Sequence, residues 1–335
     1  MKFPVLPILA CCVAAACANA ESPRVEFGAK FATAEKAKAG VVAGTDGWLF
    51  LASELRMLSF DRFWGDAAAK ASRAPKPDIA DPIPAIVDFQ TQLKARGIEL
   101  LLVPVPPKAA IYPEKLIEGA ASDGALATLT EFYAALKTAG VEVLDLAPVL
   151  LAGKTGEHGP VFCATDTHWS GSGCVLAAQA IAKAIGGKIG AKGTGAFSTE
   201  WKTLPIHGDL RDLPGGGKGG DEKIALRAVS GAGGAAVAPD PASPVLLIGD
   251  SHTLVFHDFL AERAGLLDQL AAETGIAPDL IGTRGSGATA VRTALYRKSL
   301  KDAAYLSKKK VVVWCFTARE FTEADSGWPK LPVAK

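Results

Sequence analysis

Two segments far apart in the chain together hold a nucleophile, a base and an orienting acid. Asp166-Thr167-His168-Trp169 places a carboxylate two residues before an imidazole, and Gly249-Asp250-Ser251-His252 places a hydroxyl directly after the apolar run Val245 to Ile248. A serine at a tight turn after a strand presents its Oγ above the carboxyl edge of a sheet, where a base from another loop can reach it. An imidazole near its ordinary pKa can take the serine proton and return it to a leaving group, and a carboxylate fixes its tautomer. Ser251 is therefore the candidate nucleophile, His168 the base and Asp166 the acid that orients it. Asp and Ser are also common turn formers. The complementary chemistry of the two segments is what points beyond turns to catalysis.

The surrounding pattern alternates helix and strand, as expected for a parallel sheet with helices on both faces. Asp46-Gly47 between Val41-Val42 and Trp48 to Leu51 reads as an entry hairpin. Helical spacing from Ile83 to Arg96 leads into a buried strand from Glu99 to Val105. A helix around Leu126 to Thr138 and a strand from Val141 to Leu146 follow, with a short helix behind them. Cys163 to Gly173 is a loop, and the helix from Val175 to Ile185 ends at Gly186-Gly187. Residues 188–244 turn Gly- and Pro-rich and read as an irregular excursion. Regular pattern resumes with a strand at Val245 to Ile248, helices around Leu254 to Ala264 and Leu266 to Thr274, a strand at Asp279 to Ile281, a helix from Ala290 to Asp302 and a strand from Val311 to Phe316.

Lys2, the apolar stretch to Ala16 and the small residues Ala18-Asn19-Ala20 form an export signal over residues 1–20, leaving 21–335 as a single domain. A lipoprotein anchor at Cys11 or Cys17 fits this pattern less well. No later run approaches the roughly 20 apolar residues of a membrane helix. Loss of Lys2 leaves 35 basic against 35 acidic residues. A balanced chain without a basic block speaks against nucleic acid or an anionic membrane as partner. Of the cysteines outside the signal, Cys163 and Cys174 flank the Asp166/His168 loop and are the candidate disulfide in an oxidising compartment. Cys315, in an apolar run, reads as a core thiol.

Other motifs are weaker. Gly215 to Gly220 and Gly282 to Gly287 lack the strand-to-helix setting of a nucleotide fingerprint, so no cofactor is expected. Asp166/His168 and Asp250/His252 could converge on a metal, but no His-Glu-x-x-His is present and none is expected. His158, His207 and His257 read as surface or locally bonded histidines. The Ser251 amide and the Gly285-Ser286-Gly287 loop are candidate oxyanion donors, although the glycines equally suit a tight turn. Lys108, Arg284 and Arg319 follow strands, where a parallel sheet places ligand contacts; they are candidates for an anionic sugar, or else paired surface charge.

The chain resembles the alginate O-acetyltransferases of the AlgX/AlgJ type, exported proteins with an SGNH-hydrolase-like fold. The resemblance rests on Gly44 to Phe50, Val105-Pro106-Pro107-Lys108 with Tyr112-Pro113, Asp166 to Trp169, His207-Gly208-Asp209-Leu210, Gly249-Asp250-Ser251, and Val311 to Trp314 with Ala318-Arg319-Glu320. It implies an α/β fold, an SGNH-hydrolase-like parallel sheet flanked by helices, in which the Asp/His pair precedes the serine, the reverse of ordinary SGNH hydrolases. It also implies that Asp166, His168 and Ser251 move acetyl groups onto an exopolysaccharide in the periplasm. The implied partners are a polysaccharide acceptor, a membrane-bound O-acyltransferase as donor, and other exopolysaccharide-assembly proteins. With the chain ending soon after Gly327-Trp328-Pro329, polymer holding would fall to the catalytic domain or a partner. A secreted carbohydrate acetylesterase and a non-catalytic polysaccharide-binding protein are the alternatives.

Overall fold

The computed structural model describes residues 23–190, 193–285 and 287–335. The expected export signal and Ser286 lie outside them. Eight strands are present among the described residues: β1 (Val41–Ala43), β2 (Leu49–Leu51), β3 (Glu99–Val105), β4 (Ser198–Ile206), β5 (Glu222–Ser230), β6 (Val245–Gly249), β7 (Asp279–Gly282) and β8 (Val311–Thr317). The central sheet has the order β3-β8-β6-β7, with every pairing parallel. Its inner strands β6 and β8 are buried along their whole length, rich in Val and Leu with Trp314 and Phe316 in β8, because both faces are covered by protein. All four strands end at one edge, which carries Pro106-Pro107-Lys108, Asp250-Ser251, Thr283-Arg284 and Ala318-Arg319.

Helices cover the sheet where the apolar spacing demands it. Pro82–Lys94 starts from Asp81, whose side chain accepts the Ile83 N–H, and buries Ile86, Phe89 and Leu93. Gly171–Ile189 packs along Leu266–Thr274, and Ala290–Lys301 follows β7. Its buried Arg292 donates to the carbonyls of Ala288 at 2.8 Å and Pro329 at 2.9 Å, tying the C-terminal segment to the domain. The entry hairpin forms as expected, with left-handed backbone at Asp46 and Gly47.

Four expectations need correction. Val141 to Leu146 is not a strand: one rung is made, Leu144 N–H donating to Leu102 O at 2.9 Å, before Asp145 turns to cap the next helix. The glycines 186 and 187 do not end their helix, which continues to Ile189 before Gly190 takes a positive φ. Residues 254–264 do not form a long helix. The helix Ser251–Leu254 stops at once, and the chain then takes positive φ at Phe256, Leu260 and Arg263 to bury Phe256. The excursion at 188–244 contains the long antiparallel hairpin β4-β5. It escaped the pattern because β4 is exposed along most of its length; Ile224, Leu226 and Val229 of β5 supply its buried face.

Two glycines show opposite constraints. A Cβ on Gly249 would collide with the Cys315 carbonyl of β8, whereas one on Gly186 would meet open space. Gly249→Ala should therefore destabilise by about 1–3 kcal/mol through overpacking, and Gly186→Ala should stabilise by roughly 0.5–1 kcal/mol. Denaturant unfolding of the two variants checks both signs.

Candidate active site

At the end of β6, Asp250 caps the short helix Ser251–Leu254. One carboxylate oxygen accepts the His252 N–H at 2.9 Å and the other accepts the Thr317 N–H of β8 at 2.7 Å. The serine turn is thus bolted to two adjacent strands, and Ser251 is only partly exposed at its tip. His252 packs beside this turn, buried, with its ring 4.9 Å from that of His168. Burial lowers its pKa and outweighs the pull of Asp250, so it faces the site as a neutral ring.

The Asp166/His168 loop is closed by a backbone rung between Phe162 and Trp169. Lys108 holds it from beneath, its buried ammonium donating to the carbonyls of Asp166 at 2.7 Å, Cys163 at 3.0 Å and Ala164 at 3.3 Å. Glu222 of β5 holds it from outside, accepting from Ala164 N–H at 2.7 Å and Thr165 N–H at 2.9 Å. Within this frame Asp166 Oδ1 accepts the His168 backbone N–H at 2.9 Å and lies 2.6 Å from Nδ1, while Oδ2 accepts the Asp209 N–H at 2.9 Å. His168 Nε2 lies 2.8 Å from Ser251 Oγ. This network requires the proton on Nδ1 and leaves the Nε2 lone pair for the serine hydroxyl.

Electrostatics reinforce that assignment. Burial works against the Asp166 charge, but hydrogen bonds from His168 and Asp209 overcome it and lower its pKa to about 2. Stability from Asp166 is therefore present above the usual carboxylate range and lost as pH falls toward about 2. For His168, burial favours the neutral ring, yet Asp166, Asp209 and Asp250 together raise its pKa. The base is thus strengthened without losing its orientation. Asp166, His168 and Asp209 are close enough for their ligand atoms to share an ion, lying within 4.8 Å. With Nδ1 protonated toward Asp166, however, that nitrogen has no lone pair to give a metal.

The structure brings the three triad residues together and separates the remaining candidates. Gly287 lies against the serine turn: a Cβ there would sit 2.6 Å from Asp250 Cβ and 2.7 Å from Asp250 N. Trp314 of β8 fixes it, donating to Gly287 O at 3.0 Å. Gly285 is exposed, with φ +91° and open space around it. Arg284, also exposed, stacks its guanidinium 4.3 Å from the centre of the Phe259 ring, which meets the His168 ring edge-on at 5.6 Å. Lys108 and Arg319 are not free sugar contacts. Lys108 is spent on the catalytic loop, and Arg319 donates to Thr317 Oγ1 at 3.1 Å and pairs with buried Glu54 at 3.4 Å.

The Cys163–Cys174 link is not formed. Both are separate buried thiols whose pKa burial raises, and Cys163 Sγ donates to Trp169 O at 3.5 Å. Lys108 and Glu222 already close the loop that a disulfide was expected to staple. Cys315 is a buried core thiol, as expected.

A family model described as an SGNH hydrolase-like domain, acetyltransferase AlgX, matches residues 41–317. The chain belongs to this AlgX family. Among relatives, the probable alginate O-acetylase AlgJ of Pseudomonas putida is 30% identical over 299 residues, covering 84% of this chain and 70% of that protein. The AlgJ of Pseudomonas syringae is 32% identical over 173 residues, so that the matched part spans 51% of this chain and 40% of the relative. The solved O-acetyltransferase domain of Pseudomonas putida AlgJ superposes with a TM-score of 0.64 at 27% identity, covering 85% of this chain and 92% of that domain. The AlgX-family fold is thus an SGNH-hydrolase-like α/β fold, and it accounts for the His207-Gly208-Asp209-Leu210 motif. Gly208 lets the backbone approach Thr165, where a side chain would collide, and Asp209 accepts from Thr167 N–H at 2.7 Å and Thr167 Oγ1 at 2.6 Å. Reading single residues for chemistry passes over Asp209, Glu222 and Glu54, because none of them lies near a triad residue in sequence.

Two measurements follow from this geometry. With neutral His168 as the candidate base, activity on a small acetyl ester should rise with pH through a histidine pKa above the usual 6.5. Asp209→Asn should lower the plateau and move that limb to lower pH, because it removes a negative charge near the ring; a pH profile of kcat/KM reads both effects. Alkylation of the unfolded, unreduced protein followed by mass spectrometry should label both Cys163 and Cys174.

Proposed function

We propose that the chain is a polysaccharide O-acetyltransferase working through an acetyl-serine intermediate in the periplasm. The observation that carries this reading is His168, held 2.6 Å from Asp166 on one side and 2.8 Å from Ser251 on the other. Membership of the AlgX family supports acetyl transfer as the reaction, and the names of the AlgJ relatives support alginate or a similar exopolysaccharide as acceptor.

In the first step His168 Nε2 takes the Ser251 proton as Oγ attacks the acetyl carbonyl. The carbonyl π electrons move onto oxygen, for which the Ser251 N–H is the donor at hand, with Gly287 packed against the same turn. That N–H opens a helix and so has no intrahelical acceptor. Collapse expels the donor's alkoxide, which receives the proton from His168. In the second step a sugar hydroxyl gives its proton to His168 and attacks the acetyl-serine, and the Ser251 Oγ leaves with the proton returned. Asp166 stays ionised throughout and balances the imidazolium. Arg284, stacked on Phe259 beside His168, is suited to the carboxylate of an acidic sugar. Residues 1–20 would direct export. Because acetyl-CoA is a cytosolic donor, a membrane-bound O-acyltransferase would supply the acetyl group, in company with other exopolysaccharide-assembly proteins.

Incubation with 4-nitrophenyl acetate and an alginate oligosaccharide, followed by mass spectrometry, tests the proposal. An acetyl adduct on Ser251 should form, pass to the sugar and survive a chelator. Ser251→Ala should abolish it, and His168→Ala should slow turnover by at least about 10³-fold. Loss of the acetyl group to water alone would make the protein an acetylesterase, and the absence of any Ser251-dependent turnover would sink the triad.

A further inference from the structure

We infer that a groove outside the triad, between β4 and the start of the helix Gly171–Ile189, is a sugar subsite in which one pyranose ring of a polysaccharide packs against Trp201. The identity of the ligand rests on the polysaccharide reading above; the groove itself rests on separate observations. Trp201 sits mid-strand in β4, where its neighbours are exposed and polar. The imidazole of His158 stacks on it, with ring centres 3.7 Å apart and planes at 21°. Val175 and Leu176 give the groove an apolar floor and bound a cavity of about 170 Å³. Gly153 closes one side, where any larger residue would collide with Leu176.

Four polar groups lining this groove have no hydrogen-bond partner among the described residues. The Ser172 hydroxyl lies on a residue only 9% exposed; the indole N–H of Trp201, the ring nitrogens of His158 and the carboxylate of exposed Glu157 are likewise unused. The Ser172 hydroxyl is reached from the groove and takes no bond from the described residues, so it is free to pair with the hydroxyls of a ligand seated there. The ligand must be apolar over one face and must donate and accept hydrogen bonds at its edge. A sugar ring is both: its axial C–H bonds pack on an aromatic face and its hydroxyls surround the rim. The cavity is smaller than the roughly 300–1,000 Å³ typical of whole small-molecule sites, which suits one ring of a chain that continues into solvent. Ser172 lies on the helix Gly171–Ile189, which follows the Asp166/His168 loop, so a polymer gripped here is held by the same domain that carries Ser251, and its local concentration there rises.

The test separates binding from chemistry by using Ser251→Ala protein. Calorimetric titration with an alginate hexasaccharide and with cellohexaose should show saturable binding of at least one, weakened about tenfold by Trp201→Ala and measurably by His158→Ala. In the Ser251 protein, Trp201→Ala should leave acetylation by 4-nitrophenyl acetate unchanged while raising KM for the oligosaccharide acceptor. Should Trp201→Ala fail to fold, Trp201→Phe, which keeps the platform and loses the N–H, carries the same comparison together with His158→Ala. Unchanged affinity in these variants, or no binding of either sugar, overturns the subsite. Trp201-dependent binding without any Ser251 adduct would keep the subsite and remove the transferase reading.

Discussion

A charged carboxylate with no exposure to water has to be kept ionised beneath an imidazole, and much of the architecture answers that demand. Asp166 is fully buried, and its charge survives because the His168 ring and two backbone N–H groups converge on it. Those donors are in place only if the loop holds one conformation. Lys108 below and Glu222 outside impose it by bonding the loop's main chain rather than the triad side chains. Lys108 in turn is buried, which lowers its pKa, and Glu54, itself paired with Arg319 after β8, pulls against that shift. A line of partly offset charges therefore runs under the site from one strand end to another.

The candidate nucleophile, Ser251, depends on a different constraint, the close approach of β6 and β8. Gly249 allows the strands to pair without a side chain between them, and Asp250 then reaches across to the Thr317 N–H. The same carboxylate caps the helix that presents Ser251. Breaking either contact would release the serine turn, so Ser251 is positioned by sheet geometry while His168 is positioned by a clamped loop. Their meeting at 2.8 Å is a property of the assembled sheet edge.

Much of this was legible from residues alone where local chemistry and burial agree. β3, β6 and β8 are dense apolar runs and fall where their pattern places them, and the Gly-Asp-Ser and Asp-Thr-His-Trp segments carry a chemistry that few other arrangements need. The hairpin β4-β5 was illegible because a strand exposed on most of its length has no periodic signal; it is held by cross-strand pairing and by one apolar face. The segment after Ser251 misled for the opposite reason. Its helical spacing of apolar residues is overridden by the burial of Phe256 in a left-handed conformation.

By itself the sequence picked out Ser251, His168 and Asp166 as candidate nucleophile, base and acid, together with the alternation of strand and helix, because these follow from residue type and local spacing. Tertiary structure alone decided that Lys108 and Arg319 serve the loop and its charge network rather than a ligand, that Cys163 and Cys174 stay apart, and that Asp209, Glu222 and Glu54 complete the site. Each of those outcomes depends on which main-chain or charged group stands opposite a side chain after folding. Sequence spacing does not encode that distance when the partners come from different strands and loops.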